Sequence, residues 1–233
     1  REPSLEPVDW DRVDRKPFKR KFLDTPDSED PAAAAAREAL DIRIDDRGGL
    51  KVIPALIKAF EDISCLPRYL LEALVELGFK TPMPVQAQAL PLVLSGCDVL
   101  GCAQTGSGKT LAFLLPAVPH IEAQASSDRL ERRQSVATPI ALVLAPTREL
   151  SVQISEEAAK VLQHSRKGEH KGGVWCTSIY GGGGPKARKD QLQNLSWNPQ
   201  ILVACPGRLL DFVRTRDVSL ERVTYFVLDE ADR

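Results

Sequence analysis

Charge of one sign is what this chain most lacks. Across 233 residues, 31 Lys and Arg stand against 32 Asp and Glu, a formal net charge of −1. So even a balance excludes a nucleic-acid assignment made from bulk charge and leaves only the placement of individual cations to argue from. Aromatics are scarce at 6%, and there are only 3 histidines. The 5 cysteines, Cys65, Cys97, Cys102, Cys176 and Cys205, form no CxxC pair. With so few imidazoles beside them, that spacing argues against a zinc site. Each thiol is expected as a small buried apolar residue in a reducing compartment. No apolar run approaches the ~20 residues of a membrane-crossing helix, so no membrane partner is expected. The setting expected is intracellular, with nucleus, cytoplasm and organelle all open, because the chain starts at Arg1 and a removed leader would leave no trace.

What is present suits one sizeable α/β domain with a flank. Hydrophobic residues make up 43% and charged residues 27%, a globular composition. Residues 1–50 differ from the rest: Pro3, Pro7, Pro17, Pro26 and Pro31 interrupt a run of mixed charge with few large aliphatics. Such a segment buries too little surface to fold alone and is expected as a flexible flank, draped on the domain or mobile. Ala32–Ala36 predicts a short helix running to Leu40. The cluster Arg15-Lys16-Pro17-Phe18-Lys19-Arg20-Lys21-Phe22 mixes cations with aromatics in a way that suits RNA. The plainer expectation is a solvated tail whose two Phe rings dock on the core.

Residues 51–233 read as the domain. Leu66, Leu70, Leu74 and Leu77 fall on one helical face, and Gly78 is placed to end that helix. Short apolar runs then recur at Asp98–Ala103, Ile140–Ala145, Val174–Tyr180, Ile201–Ala204 and Val223–Leu228. Amphipathic stretches separate them, among them Arg148–Leu162. Buried strands alternating with helices predict a parallel sheet covered on both faces. Right-handed crossovers then bring the strand C-termini, and the loops that follow them, to one edge.

Two of those loops carry phosphate chemistry. Ala103-Gln104-Thr105-Gly106-Ser107-Gly108-Lys109-Thr110 is expected to follow a strand and open a helix. Gly106 and Gly108 permit backbone angles that turn several N–H groups toward one anion. Lys109 brings a mobile charge for the outer phosphates, and the Thr110 hydroxyl suits a magnesium ligand. The usual pattern begins with Gly where this chain has Ala103. The second loop ends the apolar strand Tyr225–Leu228 in Asp229-Glu230-Ala231-Asp232. Two acids beside a phosphate loop are costly unless a cation neutralises them. Asp229 is best placed to hold Mg2+, and Glu230 to orient or deprotonate an attacking water.

Asp229–Asp232 spells DEAD, and the chain from Phe60 to Arg233 resembles the DEAD-box RNA helicase family. Ala103–Thr110 matches its AxTGxGKT loop, with Gln104, Thr105, Gly106, Ser107, Gly108, Lys109 and Thr110 as expected nucleotide contacts. Gly78-Phe79-Lys80-Thr81-Pro82-Met83-Pro84-Val85-Gln86 is similar to the family's adenine-reading Q motif, and Phe60 holds the position of its upstream stacking aromatic. The resemblance therefore implies ATP rather than GTP. A glutamine amide both donates and accepts, which suits adenine. Pro146-Thr147-Arg148-Glu149-Leu150, the run opening with Gly181 and Gly182, and Cys205-Pro206-Gly207-Arg208 resemble the RNA-contacting motifs. They offer backbone-directed groups and no base-reading array, so RNA binding without sequence preference is implied. Cys205 stands where the family has Thr, Met83 also replaces a Thr, and Ser151 follows PTREL where Ala is common.

The fold implied is a RecA-like P-loop NTPase domain, truncated after the DEAD strand and without the second RecA-like domain of the parent chain. That partner supplies the arginines of the active site, and an arginine finger contributes roughly 10³ to 10⁵ in rate. The 233-residue chain is thus expected to bind adenine nucleotide weakly and to hydrolyse it poorly. Two other classes fit parts of the sequence. A P-loop DNA helicase or translocase shares the loop and acids but not the Phe60–Gln86 adenine reader. A non-catalytic scaffold for RNA or protein has no use for Lys109, Thr110, Asp229 and Glu230.

Overall fold

Four of the five apolar runs become strands of one parallel sheet in the computed structural model, which describes residues 18–24, 31–46, 50, 52–124, 136–170 and 172–231. The strands are β1 (Ala141–Leu144), β2 (Cys176–Ile179), β3 (Ile201–Ala204) and β4 (Tyr225–Leu228). Among the described residues seven α-helices accompany them: α1 (Pro31–Ala39), α2 (Arg68–Glu76), α3 (Pro84–Leu94), α4 (Lys109–Glu122), α5 (Arg148–Val161), α6 (Gly184–Leu195) and α7 (Pro206–Arg214). The spatial order is β2-β3-β1-β4, and every pairing is parallel. Leu142 of β1 lies opposite Leu202 of β3 on one side and Phe226 of β4 on the other.

The period-2 alternation of the strands divides the core. On one face Ala141 and Ile201 join a cluster with Leu70, Leu90, Leu115 and Ala158 from α2 to α5, and Val143 and Val203 pack with Ile154. On the other, Leu142, Ile179 and Leu202 pack with Leu195 of α6 and Leu209 and Phe212 of α7. The predicted leucine stripe is real: Leu70 and Leu74 of α2 are at most 1% exposed. Each such side chain contributes on the order of 1.5–3 kcal/mol through burial. Gly78 ends the helix region with a φ of 81°.

The exception is Asp98–Ala103, which the apolar pattern predicts as a strand. It forms no ladder here. A strand exists only where a neighbour takes its N–H and C=O groups, and among the described residues none lies alongside. Val99, Leu100 and Gly101 line one side of a groove of about 600 Å3, with Phe226, Val227 and Leu228 of β4 on the other. Leu100 is 85% exposed, and Phe226 and Leu228 are each 55% exposed.

The described parts of the flank are packed on the domain. The amides of Phe22 and Leu23 both donate to the carbonyl of Leu94, at 2.7 and 3.1 Å. Arg20 donates to the Gly96 carbonyl at 2.8 Å and faces Asp98 at 3.2 Å. The ring of Phe18 sits edge-on to His120, centroids 5.4 Å apart, and Phe22 packs against the main core. In α1 the buried Arg37 donates to Gln88 Oε1 at 2.8 Å and to the carbonyls of Ile53 and Pro54. Of the basic–aromatic cluster, Arg15, Lys16 and Pro17 lie outside the described residues, as do Asp232 and Arg233. Among the described residues no helix is long and apolar enough to cross a membrane.

Candidate nucleotide and RNA site

Parallel pairing sends every strand C-terminus to the same edge, so the strand order becomes the order of the loops. Across the edge run Tyr180 and the glycines after β2, Cys205-Pro206-Gly207 after β3, Pro146-Thr147-Arg148 after β1, and Asp229-Glu230 after β4. Three turns expected to meet RNA are therefore neighbours, and the acids lie next to them.

The phosphate loop opens α4 as expected. Gly106 and Gly108 take φ of 79° and 86°, the left-handed region that makes successive N–H groups converge. At Gly108 a side chain is also barred by space, because a Cβ there would lie 2.3 Å from Gln86 Nε2 and 2.8 Å from Met83 Sδ. The Lys109 ammonium folds back onto its own loop, donating to the Ala103 carbonyl and, at 2.9 Å, to that of Gln104. The Ser107 hydroxyl oxygen is buried with no hydrogen-bond partner. A buried orphan of that kind is expected where a ligand completes the site.

Asp229 and Lys109 line the same groove. The Asp229 amide donates to the Leu144 carbonyl at 2.9 Å, holding the acid at the end of the ladder. Burial pushes its carboxyl above the ordinary 3.8; the Glu230 amide opposes this, the Glu230 charge adds to it, and Lys109 opposes it again. Glu230 takes φ of 51°, a left-handed backbone that a non-glycine residue adopts only under constraint. A half-buried carboxylate beside a second acid is relieved by a cation, so this donor set fits a divalent metal between Asp229 and the loop.

At the other turns, the Thr147 hydroxyl accepts from the Leu150 amide at 3.2 Å and so caps α5. Arg148 stacks over the Tyr180 ring, its guanidinium carbon 4.8 Å from the centroid. Its Nη1 would be 4.0 Å from a Cβ at Gly182. Pro146, Gly181, Gly182, Pro206 and Gly207 are exposed. The turns after β1 and β2 thus share one exposed cation lying over an aromatic ring.

Comparison with known proteins gives the family. The profile described as DEAD/DEAH box helicase matches residues 83–233. The chain belongs to that family. It is 46% identical over 200 residues to DEAD-box ATP-dependent RNA helicase 30 of Arabidopsis thaliana, covering 86% of this chain and 30% of that protein. It is 41% identical over 248 residues to putative DEAD-box RNA helicase HEL64 of Trypanosoma brucei brucei, covering 98% of this chain and 40% of the relative. Among solved structures it resembles the yeast DEAD-box splicing factor Prp28, with a TM-score of 0.74 at 32% identity over 88% of this chain and 44% of that one. Prp28 from Chaetomium thermophilum bound to ADP gives 0.71 at 33% identity, over 92% of this chain and 47% of the other. The chain thus spans less than half the length of each of these relatives.

Within this DEAD-box chain, three of the residues expected to contact a ligand also lie against other parts of the protein. Phe60 is only 2% exposed, in a 3-10 turn (Phe60–Asp62) within the main core. It presents no open ring face for a base. The turn is fastened by Asp62, whose carboxylate accepts from the amides of Lys58 and Ala59 at 2.8 and 2.9 Å. Gln86 is 1% exposed. Its amide oxygen accepts from Met83 N–H at 2.9 Å, and its amide nitrogen donates to the Gly108 carbonyl at 3.0 Å. In this structure it braces the phosphate loop. Arg208 lies over the Phe212 ring, 5.6 Å from the centroid, with its side chain 12% exposed. Its Nε is buried with no hydrogen-bond partner among the described residues, an orphan donor of the kind a ligand completes.

One acid beside the phosphate loop was not expected from the sequence. Glu157 of α5 accepts a hydrogen bond from the Thr110 hydroxyl; burial raises its carboxyl, while Thr110 and Lys160 pull the other way. A hydroxyl that gives its proton to Glu157 keeps its lone pairs for a metal. The signal was legible: Glu157 lies three residues after Ile154, inside the apolar stripe of its helix, where an acid has no reason to be unless it is used.

Proposed function

We propose that this chain is the ATP-binding portion of an ATP-dependent RNA helicase, gripping the RNA backbone and ATP–Mg2+ along one sheet edge. The observation that carries the proposal is the order β2-β3-β1-β4, which sets three phosphate-suited turns beside the acids of β4. The relatives are named ATP-dependent RNA helicases, and one structural neighbour is described as bound to ADP.

In this reading Gly106, Ser107 and Gly108 present N–H groups to the phosphates, and Lys109 leaves the carbonyls of Ala103 and Gln104 for the phosphate oxygens. Thr110, steadied by Glu157, and Asp229 would hold magnesium, which would neutralise charge on the outer phosphates. Glu230 orients the attacking water and takes its proton. Arg148 and the exposed turn backbone at Gly182 and Gly207 hold RNA through its phosphates, which gives affinity without sequence choice. A second RecA-like domain would close over the nucleotide and supply arginines, coupling hydrolysis to release of one RNA strand.

The test has two parts. Binding of a fluorescent ADP to the 233-residue chain is expected to be measurable and lost in Lys109→Ala. ATP turnover with RNA is expected only from a longer protein containing a second domain. Turnover of roughly 1 s⁻¹, an ordinary enzyme rate, from the chain alone would refute the two-domain requirement. Absence of any ADP binding would refute the site.

A further inference from the structure

Two departures from the family pattern, Cys205 in place of Thr and Ser151 in place of Ala, meet in space. Cys205 Sγ lies 3.2 Å from Ser151 Oγ. The direction of the bond follows from a count of protons. Ser151 is fully buried, and its hydroxyl donates to the Thr147 carbonyl at 2.9 Å. Having one proton, it can only accept at its remaining lone pairs, so the thiol is the donor. The result is a chain of bonds from Cys205 through Ser151 to Thr147.

Each end of that chain sits in a turn. Thr147 caps α5 and precedes Arg148. Cys205 occupies the N-cap position of α7, yet its side chain makes no cap bond there. A hydroxyl at this place would ordinarily bond a backbone amide of its own helix; the thiol is turned away, toward α5. The backbone amide of Cys205 meanwhile donates to the Ile179 carbonyl at 2.9 Å, at the end of the strand that leads to Tyr180 and the glycines. One residue therefore links all three turns: its own, the one after β2 through its amide and Ile179, and the one after β1 through its thiol, Ser151 and the Thr147 carbonyl.

We propose that Cys205 and Ser151 are a positioning pair that fixes the spacing of the three RNA-facing turns, so that the thiol serves RNA affinity from inside the protein. The proposal rests on the RNA-binding reading above. It assigns Cys205 no direct contact with RNA, unlike a Thr at that place. Removing either partner leaves the sheet intact but frees the start of α5, and with it Arg148, from the turn after β3.

The experiment measures binding of fluorescein-labelled oligouridylate and of fluorescent ADP to the same preparations at one salt concentration. C205A and S151A are each expected to weaken RNA binding about threefold to tenfold, the scale of one hydrogen bond. C205A/S151A is expected to be no weaker than either single variant, because the pair is one unit. C205S, which keeps a donor, is expected to restore affinity to within about twofold. ADP binding and the melting temperature stay near wild type throughout. The proposal is overturned if C205A binds RNA as wild type does, or if the two single effects add. Parallel loss of RNA binding, ADP binding and thermal stability would also overturn it, by showing a role in folding alone. Failure of the wild-type chain to bind RNA at all would remove the RNA reading itself, and the pair with it.

Discussion

The side-chain amide of Gln86 donates to the backbone carbonyl of Gly108 at 3.0 Å, so the helix that begins at Pro84 and the glycine loop before Lys109 are joined by a part-buried hydrogen bond. Gln86 also closes its own helix start by accepting from Met83 N–H.

Gln86→Ala removes both bonds at once, leaving the Met83 amide without its acceptor and the Gly108 carbonyl with only the Ala112 amide. A buried polar group so orphaned costs about 1–3 kcal/mol. The expected result is a lower melting temperature together with weaker ADP binding, since the loop loses its brace. Calorimetry with and without ADP reads both; unchanged affinity in a destabilised variant would detach Gln86 from the nucleotide site.

Arg37 anchors α1 to the helix that carries Gln86, through Gln88, Ile53 and Pro54. Hydrogen bonds to a charged group contribute about 1.5–3 kcal/mol, so Arg37→Met is expected to destabilise the chain by about that amount. Hydrogen exchange should then show faster turnover in residues 31–39. An unchanged denaturation midpoint would mean that α1 rests on the domain without stabilising it.

His120 is 5% exposed, hydrogen-bonded to Thr224 at 2.7 Å and ringed by Phe18, Phe22 and Tyr225. Burial lowers its pKa below the ordinary 6.5, against a backbone hydrogen bond to Lys19 that raises it. The fold thus disfavours the protonated ring, and the unfolded chain takes up the proton first on acidification. Stability held here is complete above about 6.5 and is lost as pH falls from there through the depressed folded value. Residues 18–23 are expected to exchange amide protons faster at pH 5.5 than at pH 7.5, beyond the intrinsic change in exchange rate. His120→Gln should flatten that difference; a wild-type profile in the variant would place the pH response elsewhere.

The outer edge of β4 shows Phe226 and Leu228 to solvent beside the unladdered segment 98–103. Exposed apolar edge strands template association. The chain is therefore expected to self-associate as concentration rises, and Phe226→Lys to reduce this without lowering the melting temperature. Light scattering across a dilution series checks it; a monomer at all concentrations would show that the groove is protected.

The sequence alone determined what repeats or is written in local chemistry. Leucines at helical spacing, glycines just before Lys109 and a strand ending in acids each state their requirement within a few residues. The tertiary structure decided what depends on neighbours distant in the chain. Strand identity at 98–103 needs a partner ladder, and no pattern in Val99–Leu100 says whether one lies alongside. Phe60, Gln86 and Arg208 are residue types suited to a ligand, and only the fold shows that they also meet the core, the phosphate loop and an aromatic ring. Cys205 and Ser151, read separately, were two lost family features. Only the packing of α5 against the end of β3 brought them within hydrogen-bond reach, because contact between residues 54 apart is set by the sheet and not by the letters around either one.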